Sequence, residues 1–160
     1  MRLAFHHLAI QVRDLPRAER FYTEVLGLPV LRRWPWPPES ARAGERALWL
    51  ALGPVDGGVA SDATAAAGPA GKAAPAALPD GFVALEACDA LPRAPGPFRD
   101  PAQGLHLLSL RISVNDRPRW EARLQAAGVE IVHRTAWTIY LQDPEGNRIG
   151  LSHHPDDAVS

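Results

Sequence analysis

The sequence predicts an α+β fold of two tandem βαβββ modules that form a curved mixed sheet around a cleft, with the helices on the outside. Three observations carry this prediction: a motif repeated at a constant offset, strands of alternating polarity, and a helical apolar pattern after the first strand of each half. At 160 residues, the chain is long enough to bury a substantial core.

The repeat is visible on the residues themselves. Five residues recur at one offset: Val12, Asp14, Pro16, Arg17 and Glu19 return as Val114, Asp116, Pro118, Arg119 and Glu121. After a one-residue deletion, Gly27, Leu28 and Val30 match Gly128, Val129 and Ile131. One such module covers only one face of its sheet, so two modules side by side predict a shared cleft for a ligand.

The first module is predicted to span residues 1–91. A strand from Phe5 to Val12 precedes a helix that is capped by Asp14 and ends at Gly27. Further strands are predicted over Leu28 to Arg33, Arg46 to Leu52 and Phe82 to Cys88, and the proline-rich stretch 34–38 is predicted to be a stiff loop.

A change of composition interrupts this module. Between residues 53 and 81, about 20 of 29 residues are glycine, alanine or proline, which is typical of a flexible insertion. This segment is interpreted either as a disordered loop or as a lid over the cleft. A proline-rich linker is predicted over 92–103.

The second module is predicted over 104–155, with a tail at 156–160. It contains a strand ending at Val114, a helix from about Arg117 to Ala127, strands at 129–134, 136–141 and 148–153, and a turn at 143–146. His153 and His154 close to the tail are expected to be exposed.

Charge and composition narrow the partners. The formal net charge is −1, and acids and bases are interspersed, so no single-sign field favours nucleic acid or an anionic membrane. The start of the chain lacks a signal-peptide pattern, and no apolar run reaches the length of a spanning helix, so we expect a cytoplasmic protein. No glycine motif for a nucleotide cofactor is present. The expected partner is therefore a small molecule.

Two motifs indicate a family. The stretch His7-Leu-Ala-Ile-Gln-Val-Arg-Asp-Leu15, followed by Phe21-Tyr22 and Val25-Leu-Gly-Leu28, resembles the vicinal oxygen chelate superfamily, as does Asp143-Pro-Glu-Gly-Asn-Arg-Ile149. That superfamily includes glyoxalase I, extradiol dioxygenases, fosfomycin-inactivating enzymes and bleomycin-resistance proteins. The resemblance covers both modules, marks the fold and implies a homodimer, but it does not define the reaction.

The resemblance also implies a metal site with ligands on the first and last strands of each module. His7 matches the first position, and Glu86 stands where the family pattern has a carboxylate, as ligand or catalytic base. Such a pair suits one divalent ion of Mn, Fe, Co, Ni or Zn.

The second module departs from this pattern. Ser109 and Gly150 occupy the two corresponding positions. His106 lies three residues before Ser109, so strand alternation points it to the opposite face, although a bulge would let it join His7 and Glu86 as a third ligand.

Alternation also predicts which residues face the cleft. His7 and Gln11 on the first strand, and Ser109 and Arg111 on its repeat, are predicted to point inward. Arg111 carries a fixed positive charge that would repel a metal, and with Arg148 it predicts binding of an anionic group. A purely structural ion pair of Arg111 with Glu86 is the alternative.

Aromatic residues supply further candidates. Trp34 and Trp36 on the proline-rich loop are predicted to form a stacking lip for a ligand, whereas Trp49, Trp120 and Trp137 are expected in the core.

Two functions follow from these features. The first is a metal-free binding protein, similar to the bleomycin-resistance members, for a small anionic ligand. The second is a divalent-metal-dependent lyase, isomerase or dioxygenase of the glyoxalase kind acting on neighbouring oxygens.

Overall fold

Each half of the chain forms a four-stranded mixed sheet with a helix after its first strand. The computed structural model describes residues 5–53, 81–88 and 106–154. The first module contains β1 (His7–Val12), α1 (Leu15–Arg20) continued by a π-helical turn (Phe21–Val25), β2 (Val30–Pro35), β3 (Glu45–Ala51) and β4 (Phe82–Ala87). The second contains β5 (Leu108–Arg111), a 3-10 turn (Val114–Asp116), α2 (Arg117–Ala126), β6 (His133–Arg134), β7 (Thr138–Gln142) and β8 (Arg148–Ser152).

The two sheets have the same strand order. It is β1-β4-β3-β2 in the first module and β5-β8-β7-β6 in the second, and in both the first and last strands of the module run parallel at one edge. The other strand pairs are antiparallel. The predicted tandem βαβββ fold is therefore confirmed. Within the described ranges, the strands form two four-stranded sheets rather than one continuous sheet.

The first helix begins and ends where the sequence predicts. The Asp14 carboxylate accepts a hydrogen bond from the Arg17 backbone N–H at 2.9 Å, which caps a helix whose first turn contains Pro16. Gly27 follows the helical segment with φ of +75°, a left-handed conformation that ends helices because glycine has no Cβ. The apolar side of this segment packs into the core.

Strand alternation separates an inner face from an open face in each sheet. On β1, Ile10 and Val12 are buried, whereas His7 and Gln11 are exposed. The repeat on β5 behaves in the same way, with Ser109 and Arg111 exposed. The inner-face residues of both modules belong to one apolar cluster, so the two modules share a single core.

Polar contacts also join the modules at their seam. The Tyr22 hydroxyl donates to Asp143 Oδ2 at 2.9 Å, and both side chains are buried. Burial and the neighbouring negative charge of Asp143 raise the pKa of Tyr22 well above its usual range. Glu145 accepts two hydrogen bonds from Arg13, and Arg123 Nη2 donates to the Glu24 carbonyl at 2.7 Å.

Several local predictions need correction. Strand β2 continues through Trp34 and Pro35 into the segment predicted to be a loop; β2 is an edge strand, where the missing N–H of proline is tolerated. The strand predicted over 129–134 shrinks to His133–Arg134. His153 is buried, and its backbone N–H donates to the Trp137 carbonyl, whereas Trp137 is 39% exposed rather than a core residue.

The insertion between Gly53 and Gly81, the linker 92–103 and the tail 156–160 lie outside the described residues, so these domain boundaries stay predictions. In the part of the chain that the structure describes, no helix has the length and apolar character needed to cross a membrane.

Candidate functional site

The open face of each sheet is the face that points away from the helix. In the first module it is built from alternate residues of four strands: His7, Ala9, Gln11, Phe82, Ala84, Glu86, Ala47, Trp49, Ala51, Arg32 and Trp34. In the second module it contains Ser109, Arg111, Arg148, Gly150, Ser152, Thr138, Tyr140, Gln142 and His133. The two faces share one ladder geometry, which allows position-by-position comparison.

Aromatic rings fill the first open face. His7 stacks on Phe82 with ring centroids 4.9 Å apart, and Phe82 stacks on Trp49 at 4.6 Å. Trp49 then contacts Trp34 at 5.2 Å, and the Arg32 guanidinium lies 4.0 Å from the Trp34 ring centroid. We call these five residues the aromatic row. Phe82 at its centre is 1% exposed, so side chains of the module itself cover the middle of this face.

Polar side chains predominate on the second open face. The hydroxyl of Thr138 donates to the Ser152 hydroxyl at 2.9 Å, beside Arg111 in the β5–β8 register. Next to them on the ladder, Ser109 pairs with Gly150, and Gly150 pairs with Tyr140. This face therefore offers hydroxyl and guanidinium groups, and the rings of His133 and Tyr140, with centroids 5.5 Å apart, lie toward the edge strand β6.

The strand register separates His7 from Glu86. His7 pairs with Phe82, whereas Glu86 pairs with Gln11, four residues further along the parallel strands. At ~3.3 Å per residue, four positions correspond to about 13 Å. His7 and Glu86 therefore lie on different rungs of the ladder, and the residue that pairs with His7 is a phenylalanine instead of a carboxylate.

His106 does not complete the expected triad either. It lies just before β5, is exposed, and its Nδ1 lies 2.8 Å from Arg148 Nη1, which donates to it. An arginine donor on this nitrogen competes with any cation for the same lone pair. Across the three described ranges, no group of three or more histidine, cysteine, aspartate or glutamate side chains is placed to hold a metal ion.

Three side-chain atoms, two of them apolar, crowd the ladder position of Gly150. A Cβ placed on Gly150 would meet Thr138 Cγ2 at 3.2 Å, Leu107 Cδ1 at 3.3 Å and Ser109 Oγ at 3.4 Å. A carboxylate side chain at this position would have to displace these neighbours. The neighbouring atoms thus leave little room for a side chain at Gly150.

The two arginines predicted to bind an anion lie at opposite ends of the second open face. Arg111 pairs with Ser152, the fourth residue after Arg148 on β8. The same spacing of about 13 Å along the ladder separates their backbones. They therefore reach two different groups of a ligand more readily than one.

The remaining candidates take different positions. Gln11 is exposed and pairs with Glu86 at the far end of the first face. Trp34 belongs to the aromatic row, and its buried indole N–H has no acceptor among the described residues. Trp36 lies beyond β2, with the Arg42 guanidinium 4.6 Å from its ring centroid. The predicted lip of two tryptophans is thus split between a sheet face and a loop.

Sequence reasoning missed three contributors to these faces. Trp49 was expected in the core, and neither Phe82 nor Tyr140 was proposed as a site residue. The alternation of side chains along β3, β4 and β7 assigns these three residues to the open faces once the pairing partner of each strand is known.

A family model now connects this geometry with known proteins. The model described as the Glyoxalase/Bleomycin resistance protein/Dioxygenase superfamily matches residues 4–151. The chain belongs to this superfamily. The resemblance read from the two sequence motifs is therefore confirmed, while no curated protein matches the chain significantly.

Solved structures show the same superfamily fold. A glyoxalase/dioxygenase from Nostoc punctiforme is 17% identical, with a TM-score of 0.62 over 91% of this chain and 87% of that chain. A lactoylglutathione lyase from Agrobacterium tumefaciens is 18% identical, with a TM-score of 0.54 over 93% and 92% of the two chains. FosX, a fosfomycin resistance protein from Listeria monocytogenes solved with Mn(II) and sulfate, is 12% identical, with a TM-score of 0.58 over 94% and 92%. At these identities the likeness shows the fold alone.

The residues of this chain do not fit the metal site that the superfamily resemblance implies. The paired positions on the first and last strands are His7 with Phe82, and Ser109 with Gly150. Of these four residues only the histidine is a common metal ligand. A dication on these rungs would find one imidazole and one neutral hydroxyl, beside a phenyl ring and the methyl groups around Gly150. These are too few ligands to offset the desolvation of the ion.

Proposed function

We propose that this member of the superfamily binds an extended anionic small molecule without a metal. The proposal is carried by one observation, the replacement of three of the four paired ladder positions by Phe82, Ser109 and Gly150. The Nδ1 atoms of His6 and His7 lie 2.7 Å apart, but the residue that pairs with His7 on β4 is a phenylalanine rather than a carboxylate. We therefore expect these imidazoles to hold a divalent ion only weakly. What the open faces offer instead is hydrogen bonding and fixed positive charge.

The second open face supplies the anion-binding groups. Arg111 and Arg148 are fixed cations that can bind carboxylate or phosphate oxygens in pairs. Ser109 provides a hydroxyl group on the rung between them, and Ser152 provides one on the rung of Arg111. Because about 13 Å separates the arginine backbones, we propose a ligand with polar groups at both ends.

The first open face supplies apolar contact. Trp34 and Trp49 are half-buried, so part of each ring remains available to a ligand at the edge of the aromatic row. Gln11 and Glu86 form a separate polar end of this face. Under the metal-free proposal, Glu86 orients the ligand by accepting hydrogen bonds.

The alternative function is a divalent-metal-dependent lyase, isomerase or dioxygenase of the glyoxalase kind. Its support is His7 at the expected first-strand position and the Mn(II) bound to FosX of Listeria monocytogenes. In that case Glu86 would act as ligand or base. It requires a strand register different from the one that separates His7 and Glu86 here.

We also propose a homodimer. Both open faces present exposed residues, and the large apolar side chains Phe5, Val30 and Trp137 are 60%, 37% and 39% exposed. Val30 lies on the edge strand β2, where a second copy could cover it. Equilibrium sedimentation across a concentration series tests this part, and a monomer at all concentrations contradicts it.

Metal analysis separates the two functions. In protein purified without a chelator, mass spectrometry should find well below one metal ion per chain. Titration with Mn, Ni, Co, Fe and Zn should leave its melting temperature unchanged, because a ligand that binds only the native state would raise it. Stoichiometric metal, or a large stabilisation by one ion, would overturn the proposal.

Calorimetry with simple anions tests the binding face. Adipate, a flexible dicarboxylate, should bind more tightly than the monocarboxylate hexanoate. The Arg111→Ala variant should weaken adipate binding about tenfold or more, as expected for one charge-assisted contact. Arg119→Ala is the matched control, because this α2 arginine has an 85% exposed side chain away from the open face. Equal losses in both variants would contradict the assignment.

A further inference from the structure

The turn before β8 is held by an unusually complete set of hydrogen bonds. Asp143 Oδ1 accepts from the backbone N–H groups of Glu145 at 2.9 Å and Asn147 at 2.8 Å. Asp143 Oδ2 accepts from Asn147 Nδ2 at 2.9 Å and from the Tyr22 hydroxyl at 2.9 Å. With four donors on a buried carboxylate, the charged form is fully satisfied.

Three of these donors belong to the turn, but the fourth belongs to the other module. Tyr22 lies on the helical segment of the first module and is fully buried. A hydrogen bond from a buried hydroxyl to a charged acceptor is costly to leave unmade, because neither partner can turn to water. The helical segment therefore fixes the turn in one position.

Glu145 anchors the same turn at a second point. Its carboxylate accepts from the backbone N–H and from Nε of Arg13, both at 2.9 Å, at the corner between β1 and α1. A third contact joins the modules elsewhere, since Arg123 on α2 donates to the Glu24 carbonyl. Three separate contacts leave the second module little freedom to rotate against the first.

The turn leads directly into the proposed binding face. Asn147, tied to Asp143 by both its N–H groups, immediately precedes Arg148, and the Asp143 N–H donates to the Asn147 carbonyl at 3.0 Å. The direction in which Arg148 leaves the turn is thus set by Asp143. Arg148 then donates to His106 across the face.

We infer that Tyr22 and Asp143 are positioning residues that orient Arg148 for the ligand from across the module seam. The inference rests on the proposed anion-binding function for the role of Arg148. It gives the motif that begins at Asp143 a role that needs no metal. The acidic turn joins the two modules and orients Arg148 toward the open face.

The test compares adipate affinities by calorimetry in four variants. Arg148→Ala should weaken binding about tenfold. Tyr22→Phe, which removes only the hydroxyl, should weaken it severalfold, and the double variant should bind no worse than Arg148→Ala alone. Thr23→Val is the matched control, since it removes a helical hydroxyl that bonds only to the Glu19 carbonyl, and it should leave affinity unchanged.

A ligand-independent measurement accompanies the titrations. Hydrogen exchange at the β8 amides should be faster in Tyr22→Phe than in Thr23→Val at matched stability. If Tyr22→Phe does not fold, Asp143→Asn serves instead, because it keeps Oδ1 as acceptor for the turn. Unchanged exchange at β8 would overturn the inference.

The outcomes distinguish the inference from the function on which it rests. If neither Arg111→Ala nor Arg148→Ala affects adipate, the proposed function fails. If Arg148→Ala weakens binding but Tyr22→Phe does not, the function stands and the positioning role is overturned. Additive losses in the double variant also overturn it, because Tyr22 would then act through another group.

Discussion

The first module covers the centre of its open face with stacked rings. On the equivalent face of the second module hydroxyl and guanidinium groups predominate, and the rings of His133 and Tyr140 lie toward the edge strand. The contrast is sharpest at one rung of the ladder: His7 and Phe82 stack in the first module, and Ser109 faces Gly150 in the second. The inner faces do not show this contrast, since both contribute branched apolar residues to one core.

This difference shows where a duplicated fold is free to diverge. Inner-face residues pack against a helix, and a change there leaves a cavity or a clash. Open-face residues contact solvent or ligand, so their chemistry can change without loss of the fold. The two copies thus keep one framework and carry two different surfaces, one with stacked rings at its centre and one with hydroxyl groups between two arginines.

The largest loss of stability is expected from a substitution at the centre of the aromatic row. Phe82→Ala should lower the free energy of unfolding by about 3–5 kcal/mol, because it empties a fully buried site between two stacked rings. Tyr140→Ala, the change on the rung of Gly150, should cost less because Tyr140 is only half-buried. Urea denaturation measures both. Equal losses would mean that the two faces are packed alike.

The next largest losses are expected from substitutions of two arginines, one in each module, that join a helix or a strand to its neighbours. Arg117 donates to the carbonyls of Ala136 at 2.6 Å and Thr135 at 2.9 Å, and its side chain is 20% exposed. Arg33 instead binds the carboxylates of Glu19 and Glu45 with a 40% exposed side chain. Alanine at 117 should cost about 1–2 kcal/mol. Alanine at 33 should cost less than about 1 kcal/mol, with a loss that shrinks in high salt.

Thermal unfolding in low and high salt checks this pair of variants. The contacts of Arg33 are ion pairs that salt screens, whereas Arg117 combines two carbonyl contacts with one ion pair to Glu121 at 3.3 Å. The loss at Arg117 should therefore depend less on salt than the loss at Arg33. A strong salt dependence for Arg117→Ala and none for Arg33→Ala would reverse the assignment.

A smaller effect tests the packing at Gly150. Gly150→Ala should lower the free energy of unfolding by about 1 kcal/mol, because the added methyl group forces neighbours apart by a few tenths of an ångström. Thr138→Ser removes the closest methyl and keeps the hydroxyl bond to Ser152. The double variant should therefore recover part of the loss. If the double variant is no more stable than Gly150→Ala alone, the loss arises from the backbone and not from contact with the Thr138 methyl group.

The smallest effect at neutral pH concerns the seam between the modules. The pKa of Tyr22 is raised in the folded protein by burial and by Asp143, so the folded state holds this proton more tightly than the unfolded state. The resulting stability is fully present below pH ~10, the ordinary tyrosine pKa, and is lost as the pH rises through the higher folded value. Melting temperatures between pH 8 and 11 should fall more steeply for the native protein than for Tyr22→Phe. Parallel curves would contradict this linkage.

Much of the fold followed from local patterns. The repeated Asp and Pro at the helix starts and the alternation on β1 and β5 predicted both modules and both inner faces, because capping and side-chain direction depend on nearby residues. The superfamily followed from the same segments. Trp34 and Pro35 were misassigned because a proline in an edge strand looks the same in sequence as one in a loop.

The candidate site was predictable only in part. The sequence placed His7, Ser109 and Arg111 on the open faces and identified the loss of ligands at Ser109 and Gly150. It paired His7 with Glu86, however, whereas the structure pairs His7 with Phe82. His153 was likewise expected at the surface but is buried beside Arg117.

The sequence by itself determined the modules, the direction of each side chain along its own strand and the divergence of the second copy. The tertiary structure alone decided which residues meet across strands: the aromatic row, the distance between Arg111 and Arg148, and the bond from Tyr22 to Asp143. The reason is physical. Alternation is set within a few residues, but the register between β1 and β4, which are distant in sequence, depends on how the whole sheet packs on its helix.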